Sequence, residues 1–322
     1  MKNRYIGMAF ALSVMLPLQA MAGKWPTGPV RWIVPYPPGG GNDGISRLIA
    51  HEIEQRTGAS VVVDNKGGAN GTIGINALRQ AVPDGHTVST VPSGPLDVNP
   101  TLNKTVPYDR DKDFSYVGSM IKFPLFLVAS HRSGIKSVTQ LVERARLHPD
   151  KLTYSSAGIG NSTHLAGALL GQLTGTRLLH VPYTGTGPAA VAVVSGEVDL
   201  TFGSGPSIMP MVQANKVRLL GVAESARLAN MPDVPTVAEQ GVPGFEAFSW
   251  AGVVAPAGIK ADVLDDISRT IFEIVSDPAF QKKVYEYGMV PMPGTSQAFR
   301  AVVARDAEKW GRLIREAGIT AQ

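Results

Sequence analysis

Four stretches of this sequence carry residues able to hold an anion without a charged partner: 37–43 (P-P-G-G-G-N-D), 155–163 (S-S-A-G-I-G-N-S-T), 184–187 (T-G-T-G) and 203–207 (G-S-G-P-S). Each stands where a strand pattern gives way to a helix pattern. None contains Lys, Arg, His or Glu, and only the first contains an Asp. The first N–H groups of a helix have no partner inside it, and its dipole is positive at that end, so an anion fits there. Glycines such as Gly39, Gly40 and Gly41 remove the Cβ atoms that would keep a ligand off the backbone; the competing reading is that they only make a tight turn. A hydrogen bond to a charged group contributes roughly 1.5–3 kcal/mol. Four or five of them therefore support micromolar affinity, about −8 kcal/mol, after ordering costs. Binding of this kind requires no catalytic group.

Catalytic constellations are poorly represented. Gly39-x-Gly41-x-x-Gly44 matches the dinucleotide fingerprint, with Asp64 placed where a ribose-binding acid would lie. Against it, Pro37 and Pro38 separate the strand from the glycines, and an exported chain would have to find NAD outside the cytoplasm. No G-x-S-x-G elbow and no G-x-x-x-x-G-K-[ST] loop occurs, and the six His show no ligand spacing. His164, in the first turn after the 155–163 stretch, either packs on its own loop or reaches the ligand. Asp43 either caps the first helix or touches the ligand; capping is favoured because a bare carboxylate repels an anion. Tyr36, Tyr183, Phe248 and Trp250 are core residues or, together, an apolar middle for a cleft. The expectation is a binding protein with no catalytic residue, metal or cofactor.

The elements that must place these turns follow from the pattern. Val30–Val34, Ser60–Asp64 and His86–Val91 are short β-branched runs separated by helical periodicity, which predicts a parallel sheet covered on both faces. After an irregular stretch, Phe114–Ile121 and Phe126–Ala129 resume strand character, and strands at 152–156, 178–183, 200–203 and 217–223 alternate with helices. Phe245–Val254 is extended, and the rest of the chain is helical apart from a short piece at 290–293. About 300 residues exceed what one core usually organises, so two domains are expected.

The chain opens with Lys2 and Arg4, an apolar run from Ile6 to Leu18 and the small-x-small Ala20-Met21-Ala22, which predicts a signal peptide over residues 1–22, cleaved after Ala22. Lys2 and Arg4 are two of the 30 basic residues; the 28 left face 26 acidic ones, a net charge of +2. That balance excludes nucleic-acid or membrane-surface binding through bulk charge. With no Cys, a lipid anchor, disulfides and thiolate metal sites are excluded. The expected address is the periplasm, without membrane insertion after cleavage.

Several motifs carry a resemblance. P-Y-P-P-G-G-G-N-D-x-x-x-R (35–47), V-V-V-D-N-K-G-G-A-N-G-T-I-G (61–74), P-D-G-H-T-V (83–88), Y-S-S-A-G-I-G-N-S-T-H-L (154–165), H-V-P-Y-T-G-T-G-P-A (180–189) and P-D-V-P-T-V-A-E-Q-G-V-P-G-F-E (232–246) resemble the periplasmic receptors of tripartite tricarboxylate transporters, the Bug/TctC family. The resemblance implies a two-domain α/β binding protein of the Venus-flytrap type, each domain a mostly parallel sheet covered by helices, with the ligand cleft between them. Residues 23–124 plus 251–322 would form domain 1 and 125–250 domain 2. It implies a small carboxylate held by backbone groups, hydroxyls and ordered waters from loops 36–43 and 155–163, without an Arg clamp, and aided by Ser93-Gly94 and the 203–207 turn. The expected ligand-binding residues are Tyr36, Gly39, Gly40, Gly41, Asn42, Asp43, Ser93, Ser155, Gly158, Asn161, Ser162, Thr163, His164, Tyr183 and Ser204. Asn42 departs from the Thr or Ser expected there. The implied partners are membrane permease subunits, with the receptor itself a monomer. A receptor that reports its ligand to a signalling partner would satisfy the same sequence.

Overall fold

Trp32, Ile33 and Val34 divide their side chains between two cores, and this alternation sets the first half of the molecule. The computed structural model describes residues 25–321; the expected signal peptide lies outside the described residues. Strand β1 (Val30–Val34) leads into α1 (Gly41–Thr57), then β2 (Val61–Asn65), α2 (Thr72–Arg79), β3 (Thr87–Pro92) and a single turn, α3 (Asn99–Leu102). Trp32 and Val34 pack with Ile45, Ile49 and Ile53 of α1, whereas Ile33 packs with Ile75 and Leu78 of α2. That is the period of two expected of a strand covered on both faces. β1 pairs in parallel with both β2 and β3.

The next strand joins the halves. β4 runs unbroken from Phe114 to Ser130, where the sequence suggests two separate strands. Through Phe114–Pro124 it pairs antiparallel with β9 (Phe248–Pro256), and from Leu125 to Ser130 it lies between two other strands. Pro124 has no N–H to give, and it sits where the strand changes partners, so it does not end it. The later elements are α4 (Val138–Leu147), β5 (Thr153–Ser156), α5 (Ser162–Thr174), β6 (Leu179–Pro182), α6 (Thr186–Ser195), β7 (Leu200–Ser204), α7 (Gly205–Gln213) and β8 (Val217–Val222). The path through the sheet is β2-β1-β3-β9-β4-β7-β5-β6, with β8 also paired to β4. Parallel ladders occupy the outer strands; the ladders of β4 and β9 are antiparallel. Beyond Pro124, Leu125, Leu127 and Ala129 face a core with Leu165 and Leu169 of α5, while Phe126 and Val128 face one with Ala190, Val193 and Ile208.

After β9 come α8 (Ala261–Ser276), α9 (Pro278–Glu286), β10 (Val290–Gly294) and α10 (Ser296–Glu316). Ile267, Ile271, Phe280 and Val284 of α8 and α9 return to the core of Trp32, and β10 pairs with β4. The last helix, α10, touches both halves. Its Phe299 and Val303 pack with Trp250 and Tyr116, but Trp310, Leu313 and Ile314 lie with Leu165 and Leu169. At 21 residues the helix is about 30 Å long, enough to cross from one core to the other. No helix among the described residues is long and apolar enough to cross a membrane.

Candidate functional site

The C-terminal ends of β1, β5, β6 and β7 all open on the space between the two halves, the place where ligands bind in open α/β sheets. The turns leaving them enclose a cleft of about 390 Å³. Its first wall is the start of α1: Gly39, Gly40, Gly41 and Asn42. Gly39 has φ +86°, a left-handed conformation that glycine adopts without strain. At Gly41 a Cβ would lie 2.7 Å from Cε1 of Phe123, so only glycine lets this turn rest on that ring. Ser46 fixes the turn to the sheet: its hydroxyl donates to the Asn42 carbonyl at 2.6 Å and meets the Thr90 hydroxyl, which also accepts from the Trp32 indole at 2.8 Å.

Asp43 is buried behind the turn. Its carboxylate accepts the Gly39 N–H at 2.9 Å and is held from the other side by Arg47 at 3.0 Å and by the Asn65 amide at 3.0 Å. Burial works against its charge, but the hydrogen bonds from Arg47, Gly39 and Asn65 outweigh it and keep the carboxyl below its ordinary value. Gly40 takes the N-cap position with no side-chain cap. The Gly39 N–H is thus already used, and the free donors of this wall begin at Gly40. Arg47 is about half exposed and does not line the cleft.

The opposing wall comes from three helix starts. Asn161 caps α5, accepting from the Thr163 N–H at 3.1 Å, and Thr163 Oγ1 accepts the Ala157 N–H at 2.9 Å. Ser162 holds only a 3.4 Å contact to Asn161 Oδ1, which leaves its hydroxyl free to turn. Thr186 opens α6, while Ser204 and Ser207 flank the start of α7 with their hydroxyls 3.2 Å apart. Phe123, Leu125 and Pro206 supply an apolar floor, and Ser249 completes the lining. Among the described residues no charged side chain lines this cleft, and no group of three His, Cys, Asp or Glu could hold a metal.

Of the expected residues, the structure brings Gly39, Gly40, Gly41, Asn42, Asn161, Ser162, Thr163 and Ser204 to one cleft. Gly158 and Tyr183 line a second cavity of about 490 Å³ beside it, with Asn70, Thr72 and Asn99. The rest face elsewhere. Tyr36 donates to Asn70 Oδ1 at 3.1 Å, and burial raises its pKa well above the ordinary value. Ser93 donates to Asp97 at 2.8 Å, and Ser155, on the inward face of β5, donates to the Ala189 carbonyl at 2.9 Å. Asp43 sits behind the turn, and His164 accepts the Gly160 N–H at 3.1 Å through Nδ1. Sequence reasoning missed Thr186 and Ser207, although both stand in turns it had singled out. It also missed Ser249, on which a strand pattern gives no signal.

Comparisons with known proteins cover most of the chain. The sequence pattern described as "Tripartite tricarboxylate transporter family receptor" matches residues 45–319. A protein of Pseudomonas sp. strain P51, described as "UPF0065 protein in tcbD-tcbE intergenic region", is 36% identical over 311 residues, covering 96% of this chain and 92% of that protein. Among solved structures, "R. palustris Rpa4515 with adipate" superposes with a TM-score of 0.83 at 31% identity, covering 92% of this chain and 99% of that one. "MatC (Rpa3494) from Rhodopseudomonas palustris with bound malate" gives 0.76 at 28% identity, covering 90% and 100%. The fold is that of two-domain periplasmic solute-binding proteins.

Proposed function

We propose a function from one premise: the chain belongs to the tripartite tricarboxylate transporter receptor family. It captures a small organic carboxylate between its two halves and hands it to membrane permease subunits, working in the periplasm as a monomer and without catalysis. The observation that carries this reading is the start of four helices, α1, α5, α6 and α7, at one cleft with no charged side chain in its lining. Such a site stabilises an anion by N–H groups, hydroxyls and dipoles, and its lining supplies no general base to activate those hydroxyls. Adipate and malate in the related structures support the ligand class.

In this reading the carboxylate accepts from Gly40, Gly41 and Asn42 on one side and from Ser162, Thr186 and Ser207 on the other, while Thr163 gives both its N–H and its hydroxyl proton to Asn161. The domain boundaries fall at Pro124–Leu125 and near Phe248–Trp250, where β4 and β9 cross. The test is a thermal-shift screen of aliphatic mono- and dicarboxylates, hydroxy acids and aromatic acids, with mass spectrometry of any co-purified molecule. A ligand at about 100 times its Kd raises stability by roughly 2.7 kcal/mol. A screen in which only cationic or neutral solutes stabilise the protein would sink the proposal.

A further inference from the structure

Behind the 155–163 turn two imidazoles lie face to face. The rings of His164, on α5, and His180, on β6, are 3.8 Å apart between centroids and 7° from parallel. Each is tied to the turn. His164 Nδ1 accepts the Gly160 N–H at 3.1 Å, so its proton is on Nε2. His180 Nε2 lies 2.6 Å from the Ser156 hydroxyl, which in turn accepts the Gly158 N–H at 3.2 Å. The Tyr154 ring covers both imidazoles, with centroids 5.0 Å from His180 and 6.3 Å from His164, and its hydroxyl donates to the His164 carbonyl at 3.3 Å.

We propose that His164 and His180 are the positioning residues of the second carboxylate-binding turn: a stacked pair of neutral rings that fixes Gly158 and Gly160 and releases them in acid. The geometry permits one state only. A proton on His164 Nδ1 turns an acceptor into a donor that faces the Gly160 N–H. A charge on both rings would set two like charges less than 4 Å apart. The charged groups that share their cavity are engaged elsewhere. Asp150 pairs with Arg177 at 2.6 Å, and Glu316 of α10 accepts from Gln172. Neither ring has an ion-pair partner among the described residues. Burial, with the neighbouring ring, lowers His164 to about 3, and burial lowers His180 to about 4.

The role assigned to the turn rests on the carboxylate reading; the test uses no ligand, so the two can fail separately. Ring-proton and amide resonances are followed from pH 7.5 to 2.5 in the purified protein. Both imidazoles should stay neutral to about pH 5, and the Gly160 and Gly158 amides should move with them below it. His164→Phe keeps a ring but no acceptor, and should speed Gly160 amide exchange at least about tenfold. His164→Gln restores an acceptor and should recover the protection without its pH response. His180→Gln, at a partly exposed position, should raise the midpoint of His164 by removing its like-charged neighbour. Gly160 exchange in His164→Phe as slow as in the wild type would overturn the proposal. So would a His164 midpoint indifferent to His180→Gln, a measurement that remains open if the Phe variant fails to fold.

Discussion

The two walls of the cleft are both built from helix starts and are supported by opposite chemistry. Behind the Gly39–Asn42 turn stands a charged clamp in which Asp43, Arg47 and Asn65 hold the Gly39 N–H. Behind the 156–163 turn stand two uncharged imidazoles under a tyrosine ring. The difference follows from where each turn lies. Arg47 reaches water, so the Asp43 charge is paired at an accessible edge. His164 is buried against a second ring and an aromatic cover, where a charge would be uncompensated. An ionic support holds until its carboxylate is protonated, whereas a neutral one fails as soon as it gains a proton.

Acidification should separate the walls most strongly. The ordinary His pKa is about 6.5, and the folded values are about 3 and about 4. Below pH 6.5 the unfolded chain therefore takes up protons that the folded protein refuses. Stability is complete above that pH and falls as pH drops towards 4. The loss should reach about 3 kcal/mol for each ring, roughly 6 kcal/mol for the pair, by pH 4, read from urea unfolding across a pH series. Asp43 runs at lower pH: its folded pKa is depressed, so its contribution is present above the ordinary carboxylate value and disappears only below it. A flat stability profile between pH 6.5 and 4 would erase the contrast.

Next in size is Gly41→Val. Its side chain meets Phe123, and the first wall should lose at least about a hundredfold in affinity, near 2.7 kcal/mol, by calorimetry with the best ligand of the screen. Gly40→Val is gentler, because at φ −85° the backbone accepts any residue and the Cβ meets only the Pro37 carbonyl oxygen, at 4.0 Å. Asp43→Ala leaves the Gly39 N–H without its acceptor and should weaken binding about tenfold. If affinity were unchanged, the clamp would be bystander structure. On the other wall, Ser162→Ala deletes one donor to a charged acceptor and should cost about 1.5 kcal/mol, the low end for such a bond. Lys66→Ala removes only a 3.7 Å contact to Asp64 and should stay within about 0.5 kcal/mol; a large effect there would reveal a cationic clamp in place of the neutral site.

The sequence made the helix starts legible because Gly-, Ser- and Asn-rich turns between periodic segments mark both a backbone geometry and a chemistry. It did not show which way each side chain faces within those turns. Ser155 and Ser156 are neighbours with the same hydroxyl, yet the alternation of β5 sends Ser155 to the Ala189 carbonyl and Ser156 to His180. Asp43 could be read as a cap or a contact; only the fold shows it reaching back to Gly39, one residue before the N-cap. Pro124 looks like a break in the pattern, and the exchange of strand partners that spares β4 depends on β7, β8 and β9, all more than 75 residues away in sequence. The double allegiance of α10 is equally invisible, since an amphipathic stripe does not say how many cores it covers.

That last helix acts as a tie rod. Two crossing strands alone would let the lobes swing like a door on a pair of flexible straps. With Phe299 seated in one core and Trp310 in the other, any swing must turn about the helix or bend it, because pulling either ring out exposes a large apolar surface. Between them buried Asp306 accepts the Trp250 indole N–H at 2.8 Å and ties the helix to β9. The two halves are therefore linked by one helix seated in both cores as well as by two strands, and a change in the gape of the cleft has to be shared with that helix.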